Sequence, residues 1–168
     1  MPRISIDKFE NLIRQQVPFI AALGAHLEKL GKGTATVRMS GKAEFLRPGD
    51  SVNGPVLVAL VDVAMYAAIM SLIGRSEMAL TTNLNINFLR PPPLSELVAE
   101  ARMIKLGKRL AVMEATVFSV YHIIHKNPQG KFVDCMMARV LRTRCEHFMV
   151  WRVVFKTTRE SEVGLFRW

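Results

Sequence analysis

Cysteine is scarce in this chain of 168 residues: Cys135 and Cys145 are the only two. They make neither a disulfide framework nor a metal-ligand spacing, which argues against a stapled secreted domain and against a zinc module. Reduced thiols in a cytosolic chain are the simplest expectation. Acidic residues are also in deficit, 14 against 23 Lys and Arg, for a net charge of +9. That balance suits an anionic partner: nucleic acid, a membrane surface or a phosphorylated small molecule. Yet the chain carries no helix-turn-helix pattern, zinc spacing or aromatic RNA-binding motif, so a nucleic-acid partner is not expected. The excess is also uneven. Seven of the 23 basic residues fall in 135–168, together with both cysteines and both tryptophans. Long apolar runs are nearly missing. The opening stretch MPRISIDKFENLIRQQ is charged throughout and does not read as a secretory signal. Only Pro55 to Ile73 approaches the length of a membrane span. Asp62 at its centre costs roughly 3 kcal/mol in lipid, so a buried helix of a soluble domain is expected and no membrane partner.

Half of the residues are hydrophobic, enough for one packed domain of this length. Ser5 suits a helix cap, followed by Phe9, Leu12 and Ile13 at helical spacing and by Pro18 as a stop. PFIAAL reads as a second short turn. GAHLEKL, GKG and TATVRMSG read as a long strand or bent hairpin. KAEFLRPGDSVNG is a loop by its Pro, Gly, Asp and Asn. In the apolar segment Gly54 suits the cap and Pro55 the first helical position. Beyond it, Leu84, Ile86 and Phe88 alternate with Asn83, Asn85 and Asn87, a strand with one apolar and one polar face that PPP terminates. SELVAEARMIKLG and KRLAVMEATVFSVYH read as two strands joined by a tight turn at Gly107 and Lys108. KFVDCMMARVLR is a further strand, and HFMVWRVVF a strand candidate in the tail. A helix apolar on every face must be wrapped by the remainder. The expected fold class is therefore α+β, with a central apolar helix in a curved antiparallel sheet.

The blocks NGPVLVALVDVAMYAA, LTTNLNINFLRP and LGKRLAVMEATVFS, in this order, resemble the hotdog-fold acyl-CoA thioesterases of the phenylacetate-degradation type. The resemblance covers roughly residues 18–142. It divides the chain into a hotdog domain over 1–142 and a basic extension over 143–168. That family places His-Gly-Gly at the start of the central helix and an acidic residue nine positions after the histidine. Here Asn53 stands for the histidine, Gly54 for the first glycine and Pro55 for the second. Asp62 falls on the acidic position, and Thr81 on a hydroxyl position that supports the water or the carboxylate. Where the family often has an asparagine in the preceding loop, this chain reads FLRPGDS with Arg47. The resemblance implies an acyl-CoA substrate, no metal or redox cofactor, and sites shared across a homodimer, often doubled to a tetramer.

Thioester hydrolysis needs a base or nucleophile and donors for the oxyanion. Asp62 fits the first role. The Gly54 N–H at the helix start fits the second, with the Asn53 amide beside it. Gly54 and Asp62 are about 12 Å apart along one helix. One thioester carbon reaches both only if two subunits contribute. Two readings of Asp62 stay open: catalytic carboxylate, or structural carboxylate hydrogen-bonded to Thr81, Thr82 or a nearby asparagine such as Asn83, since a buried charge needs a partner. Arg47, Arg90, Lys105, Lys108 and Arg109 are candidates for the phosphates of coenzyme A, or plain solvated charge. Tyr66, one turn past Asp62, faces the pocket or the core. Met65, Met70, Met103 and Met113 line an adaptable acyl pocket or belong to the core. His122 and His125 lie three apart in a strand, on opposite faces, which disfavours a metal. The expected function is hydrolysis of a small or medium acyl-CoA thioester to carboxylate and coenzyme A by an Asp-activated water, in a cytoplasmic dimer or tetramer. The alternative is a hotdog protein that binds or senses acyl-CoA without turnover, motivated by Asn53.

Overall fold

The computed structural model describes residues 1–76, 79–120, 134–137 and 153–156. The N-terminal helix α1 (Ile6–Gln16) begins as expected, with Ser5 Oγ accepting the Lys8 N–H at 3.3 Å. It buries Phe9, Leu12 and Ile13. Pro18 opens a second helix, α2 (Pro18–Leu23), which ends at Gly24 in a left-handed conformation, φ 76°. Strands β1 (Ala25–Gly31) and β2 (Thr34–Met39) form the hairpin read from the sequence. A 3₁₀ turn (Ala43–Phe45) then leads into a small hairpin, β3 (Leu46–Arg47) and β4 (Ser51–Val52). Its turn carries Gly49 and Asp50, both at positive φ.

The central helix α3 runs Gly54–Ile73, one residue earlier than expected. Asn53 occupies the cap position without a side-chain cap bond, and Pro55 sits within the first turn. Ala64, Ala67 and Ala68 are fully buried and let the helix approach the sheet closely. Leu57, Leu60, Met65 and Ile69 fill the space around them. At the far end, Ser71 Oγ donates to Ala68 O and accepts the Gly33 N–H, each at 2.7 Å, tying the β1–β2 turn to the helix terminus. The helix is apolar all round, yet one stripe escapes the core. Pro55 is exposed, and Val58, Ala59, Asp62 and Tyr66 are half-buried. Their spacing of three and four puts them on one face.

Strands β5 (Leu80–Asn83), β6 (Leu97–Leu106), β7 (Leu110–Ser119), β8 (Asp134–Met137) and β9 (Val153–Lys156) follow. The order across the sheet is β1-β2-β6-β7-β9-β5, with β8 also on β7. All pairings are antiparallel. Val37, Ala99 and Val117 are in register across three strands, as are Ala35, Ala101 and Ala115. All six are buried, and α3 lies against these strands. Such cross-strand rows are what hold a sheet to one register. On the other surface Arg38 bridges Glu28 at 2.7 Å and Glu96 at 3.0 Å. The guanidinium holds the Glu28 carboxyl below its usual range. This is an α+β hotdog architecture, a helix wrapped by one curved antiparallel sheet.

Two expectations need correction. Among the described residues the asparagine-rich stretch is a strand only over Leu80–Asn83, with a register shift between Thr81 and Asn83, and its polar face is not uniformly solvated. Asn85 is exposed but Asn87 is buried, and its amide nitrogen has no hydrogen-bond partner among the described residues. The alternation of Leu84, Ile86 and Phe88 is used instead to line a cavity. The second concerns the tail. Val153–Lys156, beyond residue 142, occupies the sheet position between β7 and β5. Of the strand expected over 131–142, Asp134–Met137 is described; His122, His125 and Cys145 lie outside the described residues.

Candidate active site

The unburied stripe of α3 forms the floor of an open trough of about 860 Å³. Pro55, Val58, Ala59 and Asp62 come from α3, with Asn53 and Gly54 at its start. Val17, Phe19 and Ile20 supply one wall, and Leu84, Ile86 and Phe88 the other. A smaller cavity of about 300 Å³ adjoins it and shares Val17, Ile20 and Asp62. Asp62 therefore stands where the two spaces meet. Among the described residues it is the one charged side chain lining either of them. A carboxylate in walls this apolar needs a partner. Thr81 Oγ1 provides it, donating to Asp62 Oδ1 at 2.7 Å.

At the other end of the trough the helix start presents its donors. Asn53 N–H is committed to Phe45 O at 2.7 Å, and Val56 N–H to Asn53 O at 3.2 Å. Pro55 has no N–H, so Gly54, which lines the trough, carries the first helical N–H, at the positive end of a 20-residue helix. A side chain at Gly54 would place its Cβ 3.2 Å from Phe88 Cζ. Glycine here lets the ring lie over the helix start.

The other sequence candidates divide by position. Tyr66 lines the smaller cavity. Its hydroxyl donates to Ser76 O at 3.5 Å, and its ring lies 6.0 Å from Phe9. Thr82 and Asn83 are exposed on β5 and line neither space. Arg47, exposed on β3, and Arg90, two residues past Phe88, belong to the helix-start end. Lys105, Lys108 and Arg109 do not join Arg90. Met103 N–H donates to Gly33 O, and Gly33 is bonded to Ser71, so the β6–β7 turn lies beyond the C-terminal end of α3. From Gly54 to Ser71 the helix alone spans about 25 Å. Within one protomer these three cations are remote from the trough. The four methionines are core as well: Met65, Met70 and Met113 are fully buried, Met103 is half-buried, and none of the four lines either of these two spaces. Sequence reasoning missed the wall from α1 and α2, namely Ile13, Val17, Phe19 and Ile20. As apolar residues of short helices they read as core, and Phe19 alone hints otherwise, being 64% exposed. No three His, Cys, Asp or Glu side chains stand together among the described residues.

Thr81→Val tests the carboxylate clamp. A hydrogen bond to a charged group is worth about 1.5–3 kcal/mol, less where exposed as here. We expect kcat to fall about tenfold with KM little changed, and Tm to stay within a few degrees.

A helix wrapped by a sheet, with a carboxylate at an apolar cleft that the helix start also lines, is the arrangement of a hotdog thioesterase-type protein. Residues 49–120 match the family model of the thioesterase superfamily. A protein of Saccharolobus solfataricus carried under a provisional esterase name is 30% identical over 117 residues, 70% of this chain and 77% of that one. A crystal structure from Silicibacter sp., provisionally named a thioesterase, superposes with a TM-score of 0.72 at 26% identity, covering 95% of each chain. The Escherichia coli PaaI protein of the phenylacetic acid degradation operon gives 0.68 at 21% identity over 92% of this chain and 94% of that one, a likeness of fold. The chain belongs to the thioesterase superfamily, and its class of chemistry is thioester hydrolysis.

Proposed function

We propose that this protein hydrolyses acyl-CoA thioesters by way of a water activated by Asp62, in sites shared between two subunits. The observation that carries the reading is the Asp62 carboxylate, clamped by Thr81 and standing at the junction of two apolar spaces. Asp62 takes a proton from water as the water oxygen attacks the thioester carbon. The carbonyl oxygen becomes an oxyanion and is met by the Gly54 N–H of the partner subunit, with Asn53 beside it. Collapse breaks the carbon–sulfur bond, and the departing thiolate receives the proton from Asp62. The products are a carboxylic acid, ionised at neutral pH, and free coenzyme A. No metal or redox cofactor is required by these steps.

Two copies are needed because about 12 Å separate Gly54 from Asp62 on one helix, whereas a reacting carbon must lie within about 3 Å of the water and of the donors. A homodimer, or a dimer of dimers, in the cytoplasm is the expected form. We assign Arg47 and Arg90, at the helix-start end, to the coenzyme A phosphates.

A panel of acyl-CoA substrates tests the reading, assayed by release of free thiol over a dilution series. We expect turnover, with specific activity falling at concentrations where the dimer dissociates. Full activity in a monomer would defeat the shared site. Asn53 in the position where the family has histidine favours one other outcome: tight acyl-CoA binding without turnover, which would make the protein a sensor.

A further inference from the structure

Lys42 takes no part in the hydrolytic steps, yet its side chain joins two walls of the trough. Helix α2, which supplies Phe19 and Ile20, has six residues and no basic residue in its last turn. The last carbonyls of a helix find no donor inside it, and its C-terminal end favours a cation. Lys42 provides one from 20 residues further along the chain, Nζ donating to Ala22 O at 2.7 Å. Where Gly24 turns the chain out of α2, a Cβ would lie 3.7 Å from Lys42 Cε and Nζ. The same ammonium stands 5.6 Å from the centre of the buried Phe45 ring, within cation–π range. Phe45 N–H donates to Lys42 O at 2.9 Å, and Phe45 O accepts the Asn53 N–H at 2.7 Å. Asn53 and Gly54 line the trough at the start of α3. One side chain therefore links the α2 wall to the turn that holds the helix start.

We propose that Lys42 is a positioning residue: it fixes the distance between α2 and the start of α3, and with it the width of the trough that receives the acyl-CoA. The inference rests on the hydrolase reading for the identity of the ligand, not for the tie itself. The wall needs such a tie. A helix this short has little stability of its own. Only Ile20 and Leu23 of α2 are buried. Phe19 is 64% exposed, so core packing does not hold it in place. Without the ammonium, α2 keeps its core contacts through Ile20 and Leu23 but loses its bond to the opposite rim. Asp62 and Gly54 sit on α3, whose packing does not involve Lys42. The loss therefore falls on substrate binding, and so on KM rather than kcat.

The test compares wild type with Lys42→Met, which keeps the aliphatic stem, and Lys42→Arg, which keeps a cation. Lys42→Met should raise KM for acyl-CoA by about tenfold and leave kcat within about twofold. Calorimetric Kd for a non-hydrolysable S-alkyl-CoA thioether should weaken by the same factor. Amide exchange should quicken by about tenfold across α2 and stay unchanged in α3. Lys42→Arg should restore all of these. On a Phe19→Ala background Lys42→Met should add little further loss, since both act through one wall. If Lys42→Met fails to fold, Lys42→Gln takes its place. Unchanged KM and Kd in a folded variant, or a lowered Tm with kinetics intact, would overturn the positioning role and leave the hydrolase standing. Weakened thioether binding that Lys42→Arg restores, with no turnover in wild type, would keep the role and remove the hydrolase. Neither binding nor turnover in wild type would remove both.

Discussion

Asp62→Asn is expected to lower kcat by about three orders of magnitude, within the 10²–10⁴ range of general acid–base groups, while the protein stays folded. The substitution keeps the side-chain shape and leaves one oxygen able to accept from Thr81 Oγ1, the bond now seen at 2.7 Å. What it removes is the ability to take a proton from water. Asp62 is only half-buried, so an amide there brings no large desolvation change. A purely structural carboxylate predicts the opposite pattern: turnover kept, Tm lowered. Steady-state kinetics and a thermal melt on the same preparation separate the two. Retained turnover would end the catalytic assignment of Asp62.

The largest expected loss of stability follows Leu60→Ala. Leu60 is fully buried on the face of α3 opposite the trough. Removing a buried leucine side chain costs about 2–5 kcal/mol, made of lost transfer energy plus the residual cavity. The upper part of that range is expected here, because Leu60 is held in a helix walled by strands that cannot collapse inward without breaking register. For a domain of this size about 4 kcal/mol lowers Tm by roughly 8–16 °C. A urea titration should show a lower midpoint with an unchanged slope. A loss under 1 kcal/mol would mean that the helix is less tightly enclosed than its burial indicates.

The contrast between these two side chains shows what was legible in the sequence. Both sit in one uninterrupted apolar segment, and that segment announces a buried helix by its length, its cap signals and its lack of a polar face. The hydrophobic alternation of 97–106 and 110–119, with Gly107 between them, likewise announced a hairpin. Asp62 stood out because a lone carboxylate in such surroundings requires a reason. Its partner Thr81 was named from a family position, and the structure brings the two together across 19 residues.

Other features did not follow from local pattern. Lys105, Lys108 and Arg109 looked like companions of Arg90 because they share a charge, but the sheet register carries them to the opposite end of α3. The asparagine-rich stretch reads as one long strand, yet among the described residues only Leu80–Asn83 pairs as a strand, and Leu84, Ile86 and Phe88 beyond it form a cavity wall.

The sequence by itself determined that a helix of this composition is enclosed by antiparallel strands, since apolar surface of that extent cannot face water and the strand periods have one face to offer it. Only the tertiary structure decided which stripe of that helix stays open and which walls it meets. That depends on where α1, α2 and the 84–88 segment come to rest, and contacts between segments far apart in the chain leave no period in the residues that make them.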